Sequence, residues 1–284
     1  MSLAAVKSPY ILFVTEDEDP VNPRKDYDNF GKMTCWHRGY NLGDKHDYED
    51  SADLFRELIR NSVSEKDIIQ YAKDGNARYL KLEYNKSAHA WDVVSFWDMT
   101  KNWYTESFPG TLEENRGMIC DEILAEMRND DLKTLAEKTH IIKPLYLYDH
   151  SGIRMSTGSF IGRAQHAEWD SGQIGWIYAS HKDIEKEYEI ITPETIEKAN
   201  RLLENEVKLY DAYISGQCYG FLLYKDGEEI DSCWGFLGDA DDIKESIKEY
   251  LEETARGLVD NLDYTDTAID EILMEESEYE DEEI

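Results

Sequence analysis

Three clusters of side chains in this 284-residue chain have the types and spacing to do chemistry. Asp149-His150-Ser151-Gly152 puts a carboxylate beside an imidazole where an apolar stretch, Leu145 to Tyr148, runs into a glycine turn. Loops at strand ends commonly hold functional side chains, and this pair could bind a metal or work as acid and base. Asp and Ser beside Gly are also ordinary turn formers, and adjacent residues on an extended strand point to opposite sides, so the same residues read as a plain turn. A second polar stretch holds His166, Glu168, Asp170 and Ser171, with His181 further on. If the two loops face each other, Asp149, His150, His166 and Asp170 offer the mixed nitrogen and oxygen ligands a divalent metal takes. The third cluster, Cys35-Trp36-His37 with Asp44, His46 and Asp47, invites a thiol-catalysis reading. Met33, Cys35 and His37 share one face of an expected strand, however, where a small half-buried thiol is the plainer expectation.

None of these spacings is diagnostic of a reaction. The chain has no H-E-x-x-H, no EF-hand loop and no G-x-S-x-G elbow, and its glycines form neither a phosphate-binding loop nor a dinucleotide fingerprint. Its four cysteines, Cys35, Cys120, Cys218 and Cys233, include no C-x-x-C pair, which argues against a zinc knuckle or a disulfide framework. A two-residue turn at Asp226-Gly227 would set Cys233 opposite Gly220 and Cys218 opposite Gly235, making the two thiols diagonal neighbours that are expected to stay reduced.

The elements that must position these groups are those of an acidic but folded protein. There are 62 Asp and Glu against 30 Lys and Arg, a formal net charge of −32, yet 19 Tyr and 7 Trp remain. Disordered acidic chains normally lack that aromatic content. An anionic surface repels nucleic acid and anionic lipid and attracts basic protein surfaces. About half of the acid excess lies beyond Gly238. Ile243, Ile247, Leu251, Ala255, Leu258 and Leu262 recur there at a period near 3.6, predicting a docked helix to about Asp263, then a short helix at Ile269 to Leu273 and a frayed end. The acids of the first of these, Asp241, Asp242, Glu245, Glu249, Glu252 and Glu253, are the expected partner-binding residues. A 20-residue helix of about 30 Å lies along some 18 phosphates of a duplex, so one helix cannot imitate DNA; two helices, a sheet face or a homo-oligomer would have to combine.

Upstream, Tyr10 to Val14 predicts a strand and Thr15 to Phe30 a solvated connection. Ser51 and Ser64 open two amphipathic helices, the second stopped by Gly75. Tyr79 to Tyr84 and Ala90 to Trp97 predict strands, and Thr111 with Glu114 makes a capping box for a helix carrying Met118, Ile119, Glu122, Ile123 and Met127. Strands are expected at Leu145 to Tyr148 and Gln173 to Ala179. Thr192-Pro193 opens a long helix to Gly216, followed by the hairpin Cys218 to Tyr224 and Glu228 to Trp234. Helices and strands without strict alternation predict an α+β fold with a mixed or antiparallel sheet: one globular domain over 1–237 and an acidic helical tail over 238–284. The apolar runs are far shorter than the roughly 20 residues of a membrane span, and the opening residues lack a charged and then apolar leader, so no membrane association and a cytoplasmic location are expected.

Three blocks carry a resemblance: Asp28-Asn29-Phe30-Gly31 running on to Cys35-Trp36-His37 and Tyr40 to Asp44; Pro144 to Gly152; and Trp169-Asp170-Ser171-Gly172-Gln173 with Gly175. A weaker fourth is Asp231 to Phe236. With these the chain resembles an uncharacterised protein family of bacteriophages and other mobile elements, over most of its length up to about Gly238. Gly162 to Glu168 departs from the family pattern, where a shorter loop with a Cys-Pro step is expected, which counts against a metal site built on His166. The resemblance implies a genomic setting and no catalytic residues. Joined to the anionic, aromatic-rich composition, it leads us to expect an accessory protein, not an enzyme and without a cofactor, acting in the host bacterial cytoplasm. It would inhibit a host nuclease or defence complex by occupying that complex's basic surface, without touching nucleic acid itself. The alternative is a metal-dependent hydrolase or nucleotide-processing enzyme using Asp149, His150 and Asp170 with a divalent metal.

Overall fold

Ile11 to Val14 is apolar at four consecutive positions, which on an extended strand means apolar on both faces. In the computed structural model, which describes residues 2–274, this segment belongs to the middle strand of a five-stranded sheet. The chain begins β1 (Ser2–Lys7), β2 (Tyr10–Glu16), α1 (Pro23–Asp26), β3 (Lys32–Cys35), α2 (Ser51–Ser62), α3 (Glu65–Lys73), β4 (Leu80–Asn85), β5 (Ala90–Trp97) and β6 (Asn102–Pro109). It continues with α4 (Arg116–Glu126), α5 (Asn129–Ala136), β7 (His140–Asp149), β8 (Ile153–Ser156), α6 (Ala167–Asp170), β9 (Ser171–Ser180), α7 (His181–Tyr188) and α8 (Pro193–Ile214). It closes with β10 (Cys218–Lys225), β11 (Glu228–Leu237), α9 (Ala240–Tyr250), a 3₁₀ turn at Arg256–Asn261 and β12 (Asp263–Thr265). Residues 269–274 are helical. The fold is α+β with antiparallel sheets, as the mixed order of elements predicts. No helix among the described residues is long and apolar enough to cross a membrane.

The chain divides into two compact units: Met1–Gly31, Pro144–Ile174 and Arg201–Ile284 form the first, Lys32–Lys143 and Gly175–Asn200 the second. This differs from the expected 1–237 body with a 238–284 tail. The first unit holds the sheet β11-β10-β2-β1-β12, antiparallel throughout. One face, with Leu12, Val14, Phe221 and Leu223, packs on Ile243, Ile247, Leu251, Leu258 and Leu262. On the other, Ile11 and Phe13 pack on Ile272, with Ile269 and Leu273 beside them. Between these layers β12 pairs with β1 (Leu3↔Tyr264), so the acidic segment crosses the sheet edge and covers both faces. It is part of the core because β2 has no polar face to leave in water.

The apolar stripe of that segment is buried throughout, but not on one helix reaching Asp263. α9 ends at Tyr250, Leu251 is extended, and Arg256 Nε donates to the Leu251 carbonyl at 3.1 Å. In a continued helix Glu249 would lie i+3 and i+4 from Glu252 and Glu253, a like-charge stack that opposes extension. The short helix beyond it is present at 269–274; the expected frayed end falls outside the described residues.

The stretch Thr15 to Phe30 is more than a solvated connection. Asn22 caps α1, and Arg24 is buried against Glu206 of α8. Arg24 Nη1 reaches Glu206 Oε2 and Asn29 Oδ1 at 2.9 Å and Nη2 donates to the Gly31 carbonyl at 2.8 Å, while Phe30 N–H donates to Glu206 Oε1 at 2.6 Å. Burial pushes the Glu206 carboxyl above the usual range, against the opposing pull of the Gly31 N–H, Arg24 and the Phe30 N–H. Asp211, one turn further on, takes Arg154 in a fork of 2.8 to 3.1 Å and the Met155 N–H at 2.5 Å.

The hairpin turns at Asp226-Gly227 as expected, both with positive φ, but its register does not follow. Two bulges shift it, so Phe221 faces Cys233 and Cys218 faces Leu237. Gly235 at φ 90 absorbs the second bulge, and the Trp234 ring then lies on Gly220, where an added Cβ would come within 2.1 Å of Cε3. The thiol pair is therefore not diagonal, and none of the four cysteines is in a disulfide.

In the second unit, α2, α3, α4 and α5 enclose Leu54, Phe55, Ile59, Ile119, Ile123, Leu132 and Leu135 with one face of the sheet β4-β5-β6. Asp50 and Ser64 cap α2 and α3. The Thr111–Glu114 box forms, though on the turn before α4. β3 pairs with β9, Met33 facing Ile177.

Ending the chain at Leu237 should abolish the cooperative unfolding of the first unit, and Leu251→Ala should cost about 2–5 kcal/mol. Denaturation followed by circular dichroism checks both; an unchanged transition in the truncated chain would make the segment an appendage. Burial holds the His140 imidazole below its ordinary 6.5. The unfolded chain then binds a proton there first, so stability is lost as pH falls from the unfolded value through the folded one. The melting temperature of the wild type minus that of His140→Gln should drop between pH 7 and pH 5.

Candidate functional site

β7 and β8 form a hairpin in the first unit with Asp149 opposite Ile153, and the turn between them takes Ser151 to φ 59 and Gly152 to φ 144. The His150 N–H donates to the Gly152 carbonyl at 3.0 Å. The second polar stretch is one turn of helix, α6, not a loop: the His166 carbonyl accepts from Trp169 and Asp170 at 2.9 and 3.0 Å. That turn brings Asp170 Oδ2 to 2.8 Å from His150 Nδ1. Tyr148 stacks at 5.9 Å on His150 and at 5.5 Å on Phe160, and its hydroxyl donates to the Gln165 carbonyl at 2.8 Å. His166 lies 5.9 Å from His150, ring to ring.

Two of the expected residues thus meet. With Asp170 accepting from Nδ1–H, the His150 Nε2 lone pair is free to take a proton, which is the base-and-orienter part of a nucleophilic triad. Among the described residues no hydroxyl or thiol is bonded to His150, and no three His, Cys, Asp or Glu side chains gather as a metal ligand set. Asp149 and His166 therefore do not complete one with His150 and Asp170. Trp169, next to Asp170, is 87% exposed.

The expected partner residues belong to the same unit and divide into two kinds. Asp242 pairs with Lys208 at 2.7 Å, and Glu252 accepts from the Thr254 hydroxyl at 2.8 Å, which holds its carboxyl below the usual range. Asp241, Glu245 and Glu249 make no ion pair among the described residues and recur every fourth position, so they form one exposed row along α9. Glu253 is exposed beyond the helix end. Asp239, just ahead of the helix, caps α9 by accepting from the N–H groups of Asp241 and Asp242 at 3.1 and 3.0 Å. Those bonds hold its carboxyl below the usual range. Beside the row lies a groove of about 300 Å³ lined by Tyr27, Leu209, Trp234, Phe236, Glu249 and Tyr250. Its rim aromatics are half in solvent: Trp234 is 48% and Tyr250 63% exposed. No sequence period announces this groove, because the bulge at Gly235 presents Trp234.

The third cluster, in the second unit, is not a thiol–imidazole pair. β3 ends at Cys35, and His37 Nδ1 accepts from Gly39 and Tyr40 in the loop beyond. His46 Nε2 donates to the Cys35 carbonyl at 3.0 Å, and its buried Nδ1 has no partner. Asp44 accepts the Met33 N–H at 2.8 Å, and a cavity of about 500 Å³ opens among Lys32, Thr34, Asp44, His46, Tyr48 and Tyr178. Burial pushes the Cys120 thiol up to about 12 and the Cys218 thiol to about 11, so neither is a ready nucleophile.

No family model, curated protein or solved structure matches this chain.

If Asp170 orients His150, nitrogen-detected NMR above the histidine titration should show the Nδ1–H tautomer at His150, lost in Asp170→Ala. Retention of the tautomer in that variant would leave Asp170 without a role in setting it.

Proposed function

We propose that this chain is a phage or mobile-element accessory protein that binds the basic surface of a host nuclease or defence complex in the host cytoplasm and inhibits it by occupying that surface. The observation that carries the reading is the row Asp241, Glu245 and Glu249 running beside the Trp234–Tyr250 groove. Carboxylates steer a basic partner and set its register, and half-exposed aromatics provide rigid contact area. The row is not a charge-for-charge copy of DNA. Its length of about 12 Å would span some seven phosphates of a duplex, so anchoring falls to the aromatics, or to a second copy of the row in a homo-oligomer. The phage setting rests on the three sequence blocks alone.

One observation favours the enzyme alternative, the His150–Asp170 bond. It supplies a base without a nucleophile or ligand cluster, and an anionic surface hinders capture of a phosphate substrate unless a cation inverts the local field.

Affinity capture from bacterial lysate tests the two together. The wild-type chain should retain a nucleic-acid-binding complex that rising salt and competing duplex DNA displace. The triple variant Asp241→Asn, Glu245→Gln, Glu249→Gln should slow association about tenfold or more and flatten the salt dependence. His150→Gln should leave capture intact. Salt-insensitive capture, or a triple variant that binds like wild type, would overturn the reading; loss of a turnover on His150→Gln would establish the enzyme instead.

A further inference from the structure

Sheet edges expose rows of unpaired backbone groups, and proteins blunt them with charge, bulges, proline or brevity. The first unit follows that rule on both edges of its sheet. β11 carries Glu228, Glu229 and Asp231 and is bulged twice, and β12 is three residues long. In the second unit β4 alternates Lys81 and Glu83 along its edge. β6 is the exception. It is eight residues long and pairs with β5 in eight consecutive steps without a bulge. All of it but Phe108 is exposed. Glu106 is its only charge, in a chain where 32% of residues are charged. A like-charged copy can approach this strand at less cost than most of the surface.

The hydrogen-bond phase shows which groups point outward. Gly110 N–H donates to the His89 carbonyl, one step past the Ala90↔Pro109 pair. Alternation then turns Asn102, Tyr104, Glu106 and Phe108 toward β5 and leaves the N–H and C=O of Trp103, Thr105 and Ser107 directed away from it. These three residues are symmetric about Thr105. Laid antiparallel on itself around that residue, the strand pairs Thr105 with its own copy and Trp103 with Ser107 of the other, so all six outward groups on each strand are satisfied. Tyr104 then faces Glu106 of the other copy, and the two Glu106 side chains do not meet head-on. Pro109, which has no N–H to give, falls beyond the paired segment.

We propose that β6 is a self-pairing edge, through which two copies of this chain join antiparallel about a two-fold axis at Thr105. The apolar surface beside it supports a stable pair. Trp97, Trp103 and Tyr104 are each 40 to 49% exposed, and Met99 at the hairpin tip is 98% exposed. A buried aromatic covers 150–250 Å², so these three leave on the order of 100 Å² each. Doubled by symmetry and added to the strand backbone, this approaches the roughly 1,000 Å² of a specific interface. The inference stands on strand geometry and needs no partner protein, so its test is independent of the inhibitor reading.

The experiment is light scattering on the full chain over rising concentration, with Thr105→Pro beside the wild type. Because the Thr105 N–H points away from β5, proline there removes no bond within the monomer. The expected result is a wild-type dimer and a Thr105→Pro monomer with the same circular dichroism. A wild type that stays monomeric overturns the proposal, as does a Thr105→Pro chain that folds and still dimerises. Should Thr105→Pro not fold, oxidative cross-linking in a Cys233→Ser background decides. Thr105→Cys should form a symmetric disulfide, since directly opposed residues lie about 5.5 Å apart at Cα, whereas Ser107→Cys should not. A dimer in which Thr105→Cys fails to cross-link overturns the register.

Discussion

The first unit depends on one requirement: a sheet whose central strand is apolar on both sides must be covered on both sides. β2 presents Leu12 and Val14 to one layer and Ile11 and Phe13 to the other, and leaving either in water would forfeit about 1.5–3 kcal/mol per large side chain. The segment after Leu237 meets that requirement by passing from α9, along the β1 edge as β12, to the helical residues on the far face. The most acidic part of the chain is thereby a structural layer. The charges of α9 point outward because Ile243 and Ile247 are engaged inward, so the helix docks without neutralising its acids.

Two buried carboxylates on α8 act at a finer scale. Glu206 gathers Arg24 and the Phe30 and Gly31 N–H groups, and Asp211 gathers Arg154 and the Met155 N–H. The Arg24–Glu206 pair, buried on both sides, adds little net stability because desolvation offsets the Coulomb gain, but removing one partner leaves a buried charge and costs about 3–5 kcal/mol. The role of the two carboxylates is positional. They fix the stretch from Asn22 to Gly31 and the start of β8 to α8.

The candidate surfaces inherit their geometry from these arrangements. α9 can show a row of carboxylates only because Ile243 and Ile247 fix its rotation, and the Trp234 ring stands beside that helix only because a bulge and a glycine let it lie on β10. In the second unit, by contrast, β6 is an outer strand exposed at every residue but Phe108.

Wherever a periodic apolar pattern met a cap or turn signal, the sequence alone determined the element: α2 from Leu54 to Ile59, α8 between Thr192 and Gly216, the turn at Asp226-Gly227, and the α+β class. Those signals are local, being set by side-chain period and backbone preference within a few residues. Elements without such a pattern stayed hidden. β6 is exposed on both faces and does not alternate, and β1 offers only its small and apolar run and the Ser8-Pro9 turn after it. Tertiary structure alone decided the rest. It laid the acidic segment on the β1 edge at Asp263 to Thr265, slid the hairpin register by two bulges, and folded α6 so that Asp170 reaches His150 across twenty residues. It also sent His46 to the carbonyl of Cys35 instead of its thiol. Each of these turns on which distant backbone or carboxylate arrives at a given place, a matter of packing that residue type and spacing do not encode.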